Sequence, residues 1–152
     1  MLAIALPFVR PFGWYLSVIA LGNLAWEAAQ MPLYTLWVDG TQSQIAFALL
    51  HCTLGDVLIG AVALTASLIL WRLPAWPTER FRSVAYATLT FALAYTLFSE
   101  WLNVEVRHTW AYRDIMPTLP WLGTGLSPVL QWLIVPLLAL WYAKGTEKAA
   151  KA

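Results

Sequence analysis

Four ionisable residues lie inside long apolar stretches of this chain: Glu27, His51, Asp56 and Glu100. An ionised side chain in hydrocarbon costs roughly several kcal/mol, so such residues usually face a protein interior or water and mark a functional site. Carboxyl and imidazole groups are also the side chains that most often transfer protons in enzymes. We therefore predict that these four residues form a catalytic acid–base site.

Amide and hydroxyl side chains recur at helical spacing around these residues. Asn23, Glu27 and Gln30 would share one face of a helix, because residues three or four positions apart are neighbours on its surface. The same spacing relates Glu100 to Asn103. The residues expected to bind a substrate are Asn23, Gln30, Asn103, Arg107, Trp110, Tyr112, Ser127 and Gln131.

Structural roles for these residues stay open. Amide and hydroxyl groups can hold helices together, each contributing about 0.6 to 2 kcal/mol. Arg107 lies two turns after Glu100 and could pair with it, whereas Glu27 and Asp56 have no cationic neighbour in sequence. His51 could be a general base, a metal ligand or a packed polar residue. Cys52 is either a small buried residue or a nucleophile beside His51.

Composition excludes several functional classes. The chain is 61% hydrophobic and 11% charged, far below the roughly 25% of charged residues in soluble domains. A net charge of +1 with scattered basic residues gives no nucleic-acid surface. The single cysteine excludes an internal disulfide, and the pair of Glu-x-x-His motifs of di-iron bundles and the His-Glu-x-x-His of zincins are both absent. We predict no metal site, and the sequence names no cofactor.

Four segments exceed the roughly 20 residues that a membrane span needs: 12–34, 44–71, 83–104 and 121–142. Short turns at 39–41 and 74–77 predict antiparallel neighbours. We expect an all-α, up-down bundle of four transmembrane helices that forms one domain over residues 1–152. Arg10 follows the first apolar run, so we expect no cleaved signal peptide.

Basic residues predict the orientation of this bundle. Those on the side of both termini and the second turn are Arg10, Arg72, Arg80, Arg82, Lys144, Lys148 and Lys151, whereas Arg107 and Arg113 lie on the other side. The excess of positive charge predicts cytoplasmic termini in a bacterial-type inner membrane. At about 1.5 Å of rise per residue, the polar residues then occupy the outer half of the membrane.

The connection 104–120 contains too many aromatic residues for a solvated linker. We expect it to fold over the outer mouth, so that Trp110 and Tyr112 cap the polar layer and Arg107 and Arg113 bind a lipid phosphate or another anion. Pro32 should end the first helix, and the glycines before Pro128 should make the fourth helix begin irregularly.

Three functional classes fit this pattern. The first is a membrane-embedded enzyme that performs acid–base chemistry, as an isomerase, hydratase or hydrolase does, on a lipid or isoprenoid-like substrate. The second is a small proton-coupled or ion-coupled transporter that acts as a homodimer. The third is an accessory or assembly subunit of a larger membrane complex. Membrane lipids are the expected partners in all three.

Overall fold

The computed structural model describes residues 9–72 and 75–149, and these are all-helical, with no strand. The helices are α1 (Val9–Gln30), α2 (Leu36–Asp39), α3 (Gln42–Trp71), α4 (Phe81–Trp101) and α5 (Leu126–Ala149). A 3₁₀ turn, Met31–Leu33, follows α1, and a π-helical turn, Leu102–Val106, follows α4. Pro74 of the predicted second turn and Lys151 of the predicted basic cluster lie outside the described residues.

The helix ends follow from local sequence. Pro32 lies in the 3₁₀ turn that ends α1, as predicted, because proline cannot donate the next backbone hydrogen bond. The side chains of Thr41 and Gln44 form a reciprocal capping box at the start of α3. α5 begins at Leu126, five residues after the predicted 121, because residues 117–126 form a hydrogen-bonded loop instead.

Within residues 9–72 and 75–149, two helices are long and apolar enough to cross a membrane, namely α3 and the Leu126–Glu147 part of α5. The other two long helices have sufficient length, with 22 residues in α1 and 21 in α4. They carry more polar residues, and the buried ones include Asn23, Glu27, Gln30 and Glu100. Their lower hydropathy therefore comes in part from side chains that face the interior of the protein.

The four long helices form a closed ring. α1 packs against α3 and α5, and α4 packs against the same two helices. We call the end that carries the connection 102–125 the loop end, and the end near residues 9, 72 and 149 the tail end. At the tail end the helices enclose an apolar cluster that includes Tyr15, Ile19, Leu64, Trp76, Val84, Val135 and Leu140.

The outer surface of the ring is strongly apolar. Leu21, Leu54, Ile69 and Trp141 are each at least 70% exposed, and many further large apolar side chains on all four long helices are exposed as well. Contiguous exposed apolar surface of this kind marks contact with a membrane or a partner protein. Because the buried residues include three carboxyl groups and three amides, polarity is concentrated inside the ring.

Candidate functional site

A buried network at the loop end is centred on Gln131 of α5. The Gln131 side-chain amide donates to Asn23 Oδ1 at 2.9 Å, to Glu27 Oε1 at 3.0 Å and to Asp56 Oδ2 at 3.0 Å. These four side chains come from three helices and are each less than 10% exposed. Gln131 therefore joins the acidic residues of α1 and α3 through one amide group.

Gln30 extends the network toward the start of α5. Its amide donates to Glu27 Oε1 at 2.9 Å and to Gln131 Oε1 at 3.1 Å. The Ser127 hydroxyl donates to Gln30 Oε1 at 2.7 Å, and the Trp26 indole donates to the Ser127 oxygen at 3.1 Å. Both hydrogens of the Gln30 amide are thus used, which fixes the orientation of its side chain.

One carboxyl oxygen of Glu27 and one of Asp56 each lie 3.0 Å from the same Gln131 nitrogen, so the two carboxyl groups are close neighbours. Two ionised carboxylates at such a separation repel strongly, so a close pair normally shares a proton. The Gln131 amide has two hydrogens for its three acceptor oxygens, and the Gln30 amide supplies a third hydrogen to Glu27 Oε1. Amide hydrogens alone therefore serve these three acceptors.

Glu100 of α4 forms the second part of the site. Its carboxylate accepts a hydrogen bond from the Tyr112 hydroxyl, and the Gly125 N–H donates to the Tyr112 oxygen at 3.1 Å. Burial, followed by the charge of Glu100, raises the pKa of Tyr112 above its ordinary value. The hydroxyl therefore stays protonated and remains a donor. The indole of Trp110 lies close to Glu100, but its N–H makes no hydrogen bond of normal geometry.

The connection 102–125 is fixed against the end of α1. Backbone hydrogen bonds join Thr35 to Ala111 at 3.0 Å and Arg113 to Leu33 at 2.9 Å. The rings of Tyr34 and Tyr112 are 5.4 Å apart between centroids. The connection therefore packs against the end of α1, and this contact positions Tyr112 beside Glu100.

Other predicted site residues lie outside the network. The ring of His51 is exposed on α3 and stacks against Phe47 with 5.5 Å between centroids. The Asn103 amide donates to the Ser99 carbonyl of its own helix at 2.8 Å. Arg107 is exposed, and the partner of Glu100 is Tyr112, whereas the sequence offered Arg107 as one alternative. The π-helical turn after Trp101 changes the helical register on which that pairing depended.

Arg113, which was expected to bind a lipid phosphate or another anion, contacts the backbone of the chain itself. Its guanidinium donates to the Pro32 carbonyl at 2.7 Å, which attaches the connection to the end of α1. Among the described residues, no group of three or more His, Cys, Asp or Glu side chains is arranged to hold a metal ion. The polar interior of the loop end thus consists of carboxyl, amide and hydroxyl groups.

Two residues of the site were missed in the sequence. Trp26 lies four positions before Gln30, so the helical spacing that identified Glu27 could have placed it beside Ser127. Tyr34 follows the end of α1, and only the contact with Tyr112 in the folded chain brings it to the site.

Comparison with protein-family models, with curated proteins and with solved structures finds no match to this chain.

Proposed function

We propose that this chain is a four-helix integral membrane protein in which α1, α3, α4 and α5 all span the bilayer. The exposed apolar side chains on all four helices support this, because a soluble monomer rarely exposes so much contiguous apolar surface. The membrane is a bacterial-type inner membrane with both termini in the cytoplasm, as the distribution of basic residues favours. The loop end then faces the outer side.

Labelling of single cysteines tests this orientation. In a Cys52→Ser background, Ser43→Cys lies at the loop end and Glu79→Cys at the tail end, and both positions are exposed. A membrane-impermeant thiol reagent added to intact cells should label the first variant and label the second only after the membrane is opened. The reverse pattern would refute the proposed orientation.

We infer that the loop end performs acid–base chemistry on a lipid or isoprenoid-like substrate. The observation that carries this proposal is the placement of Glu27 and Asp56 side by side, each accepting at 3.0 Å from the same buried Gln131 amide nitrogen. A pair of carboxyl groups that holds one proton contains an acid and a base at the same place. Proton transfer at carbon, or protonation of an oxygen, needs both.

The reaction requires no further donor from the protein. The protonated carboxyl group transfers its proton to a double bond or an oxygen of the substrate. The ionised partner accepts a proton from a neighbouring carbon or from a water molecule, so the pair ends with the same number of protons. Glu100, whose carboxylate accepts a hydrogen bond from Tyr112, lies close enough to Glu27 for their charges to interact. We assign Glu100 a positioning role at the loop end.

The structure of the tail end favours this function over transport. A transporter exposes its site to both sides of the membrane, whereas Tyr15, Leu64 and Leu140 are buried in an apolar cluster at the tail end. In the same region, the buried Thr88 hydroxyl donates a hydrogen bond to the Ser67 hydroxyl at 3.1 Å. A polar site at one end with a packed apolar cluster at the other suits an enzyme or a binding protein.

Isotope incorporation tests the proposed activity without a known substrate. The purified protein, in bilayer nanodiscs made from a bacterial polar lipid extract, is incubated in heavy water or in water labelled with a heavy oxygen isotope. The lipids are then returned to ordinary water and analysed by mass spectrometry. Isomerisation leaves deuterium on carbon, and hydration or hydrolysis leaves labelled oxygen, so the wild-type protein should label at least one lipid.

The variants make this test specific to the pair. Glu27→Gln and Asp56→Asn each remove the shared proton with little change of shape, and we expect both to abolish labelling. Thr88→Val changes a buried polar residue at the tail end and should leave labelling intact. Absence of label with the wild-type protein, or equal labelling by all variants, would contradict acid–base chemistry at this pair.

A further inference from the structure

The network at the loop end contains a buried donor with no acceptor. Asn23 is fully buried, its oxygen accepts from Gln131, and its Nδ2 group has no hydrogen-bond partner in the described part of the chain. If the Asn23 amide were rotated by 180°, its NH₂ group would face the NH₂ group of Gln131, and neither group can accept a hydrogen bond. The network therefore determines that Nδ2 is the atom of Asn23 without a partner. A buried polar group without a partner is destabilising, and a bound acceptor removes that cost.

Two further buried groups at this end have no hydrogen-bond partner in the described part of the chain, the Thr53 hydroxyl and the Trp110 indole N–H. The indole N–H of Trp110 is buried beside Glu100 and makes no hydrogen bond of normal geometry. In the proposed function, the Glu27–Asp56 pair holds one proton that it can donate to a substrate oxygen. Asn23 Nδ2 is buried and can act only as a donor, so the group that it binds must accept a hydrogen bond.

Charge further restricts the ligand. In the part of the chain that the structure describes, the hydrogen-bond partners of Glu27, Asp56 and Glu100 are glutamine and tyrosine side chains, with no cation among them. An anionic head group such as a phosphate would meet like charge there without a counter-ion. An amine would match the charge, but its N–H groups cannot accept a hydrogen bond from Asn23.

We propose that the loop end binds an uncharged lipophilic molecule through a carbonyl or hydroxyl oxygen, which accepts hydrogen bonds from Asn23 Nδ2 and from the proton of the Glu27–Asp56 pair. This inference rests on the proposed acid–base function and names its substrate class. The hydrocarbon body of the molecule lies among the apolar side chains of the bundle. Protonation by the carboxyl pair then polarises the oxygen that Asn23 holds.

A set of four farnesyl compounds tests this preference, because they share one isoprenoid chain and differ at the head. Farnesal can only accept a hydrogen bond, farnesol can accept and donate, farnesylamine is cationic and farnesyl phosphate is anionic. Affinities are measured from the shift of the thermal midpoint of the protein in nanodiscs as each compound is titrated. Farnesal and farnesol should bind about tenfold or more tightly than the charged compounds, as loss of one hydrogen bond predicts.

Variants assign the preference to Asn23. Asn23→Leu keeps the size of the side chain and should weaken farnesal binding about tenfold. Trp71→Phe is the matched control, because it removes an unpartnered buried N–H at the tail end and should leave farnesal affinity unchanged. The ranking of the four compounds is measured on the wild-type protein, so it does not depend on whether a variant folds.

The proposal is overturned if farnesyl phosphate or farnesylamine binds at least as tightly as farnesal, if no compound shifts the midpoint, or if Asn23→Leu binds farnesal like the wild type. Failure of this ranking is distinguishable from failure of the acid–base function. If the wild-type protein still incorporates isotope into lipids and Glu27→Gln does not, the chemistry stands and the assigned ligand class is wrong.

Discussion

The two ends of the bundle are stabilised in different ways. At the tail end, large apolar side chains such as Tyr15, Leu64 and Trp76 fill the space between helices, and polar contacts are few. At the loop end, one glutamine amide joins two carboxyl groups and an asparagine. A protein that needed stability alone could use the first arrangement throughout. This difference is the reason that we propose a chemical role for the loop end and a structural role for the tail end.

The largest effect on the free energy of unfolding is expected when the loop-end network loses its central amide. Gln131→Leu removes the amide that serves Asn23, Glu27 and Asp56, and leaves several buried polar atoms without partners. We expect a loss of unfolding free energy of about 3 kcal/mol or more, since each unsatisfied group costs about 1–3 kcal/mol. Titration with a denaturing detergent in mixed micelles measures it.

Gln42→Leu is the control for this change, because it makes the same substitution at an exposed glutamine in the first turn of α3. It should alter stability by less than about 0.5 kcal/mol. Equal effects of the two substitutions would show that the loop-end network contributes nothing specific to folding.

A cavity at the tail end should affect stability and leave the chemistry intact. Leu64 is fully buried in the apolar cluster, so Leu64→Ala should lower the unfolding free energy by about 2–5 kcal/mol. Isotope incorporation into lipids below the new unfolding midpoint should match that of the wild-type protein. Loss of incorporation by a folded Leu64→Ala protein would mean that the two ends are not functionally separate.

The connection over the loop end should open when its contact with Glu100 is removed. Tyr112→Phe removes the donor to Glu100 and the acceptor of the Gly125 N–H. We expect a local loss of about 1–3 kcal/mol and correspondingly faster hydrogen exchange of the amides of residues 107–125. Tyr86→Phe, at an exposed tyrosine of α4, serves as control. Exchange that is the same in both variants would exclude Tyr112 as the attachment.

The smallest effect is expected at the hydroxyl pair of the tail end. Thr88→Val removes a hydrogen bond of 3.1 Å to Ser67 and keeps the shape of the side chain. Hydrogen bonds between helices in membrane proteins contribute about 0.6 kcal/mol on average, so stability should fall by about that amount. A loss above about 2 kcal/mol would show that polar contacts matter equally at both ends.

Much of the site followed from helical spacing in the sequence. Asn23, Glu27 and Gln30 share a face of α1, as predicted, and this face meets Gln131 and Asp56. The prediction succeeded because the periodicity of a regular helix determines which side chains lie together. The approximate positions of the four long helices followed from the length and hydropathy of the apolar segments.

Contacts that depend on irregular backbone could not be predicted. A π-helical turn after Trp101 separates Arg107 from Glu100, and residues 111–113 then bring Tyr112 to that carboxylate. His51 was grouped with the carboxyl groups by its depth along α3, but depth does not determine the direction of a side chain around the helix. Its ring faces outward against Phe47.

Infrared spectroscopy of the protein in hydrated lipid bilayers tests the central claim most directly, because a protonated carboxyl group has a carbonyl stretch distinct from the bands of carboxylates. We predict such a band near neutral pH in the wild-type protein, lost or shifted in both Glu27→Gln and Asp56→Asn and unchanged in Thr88→Val. A spectrum without this band, or a band that neither carboxyl substitution alters, would contradict a proton shared by Glu27 and Asp56.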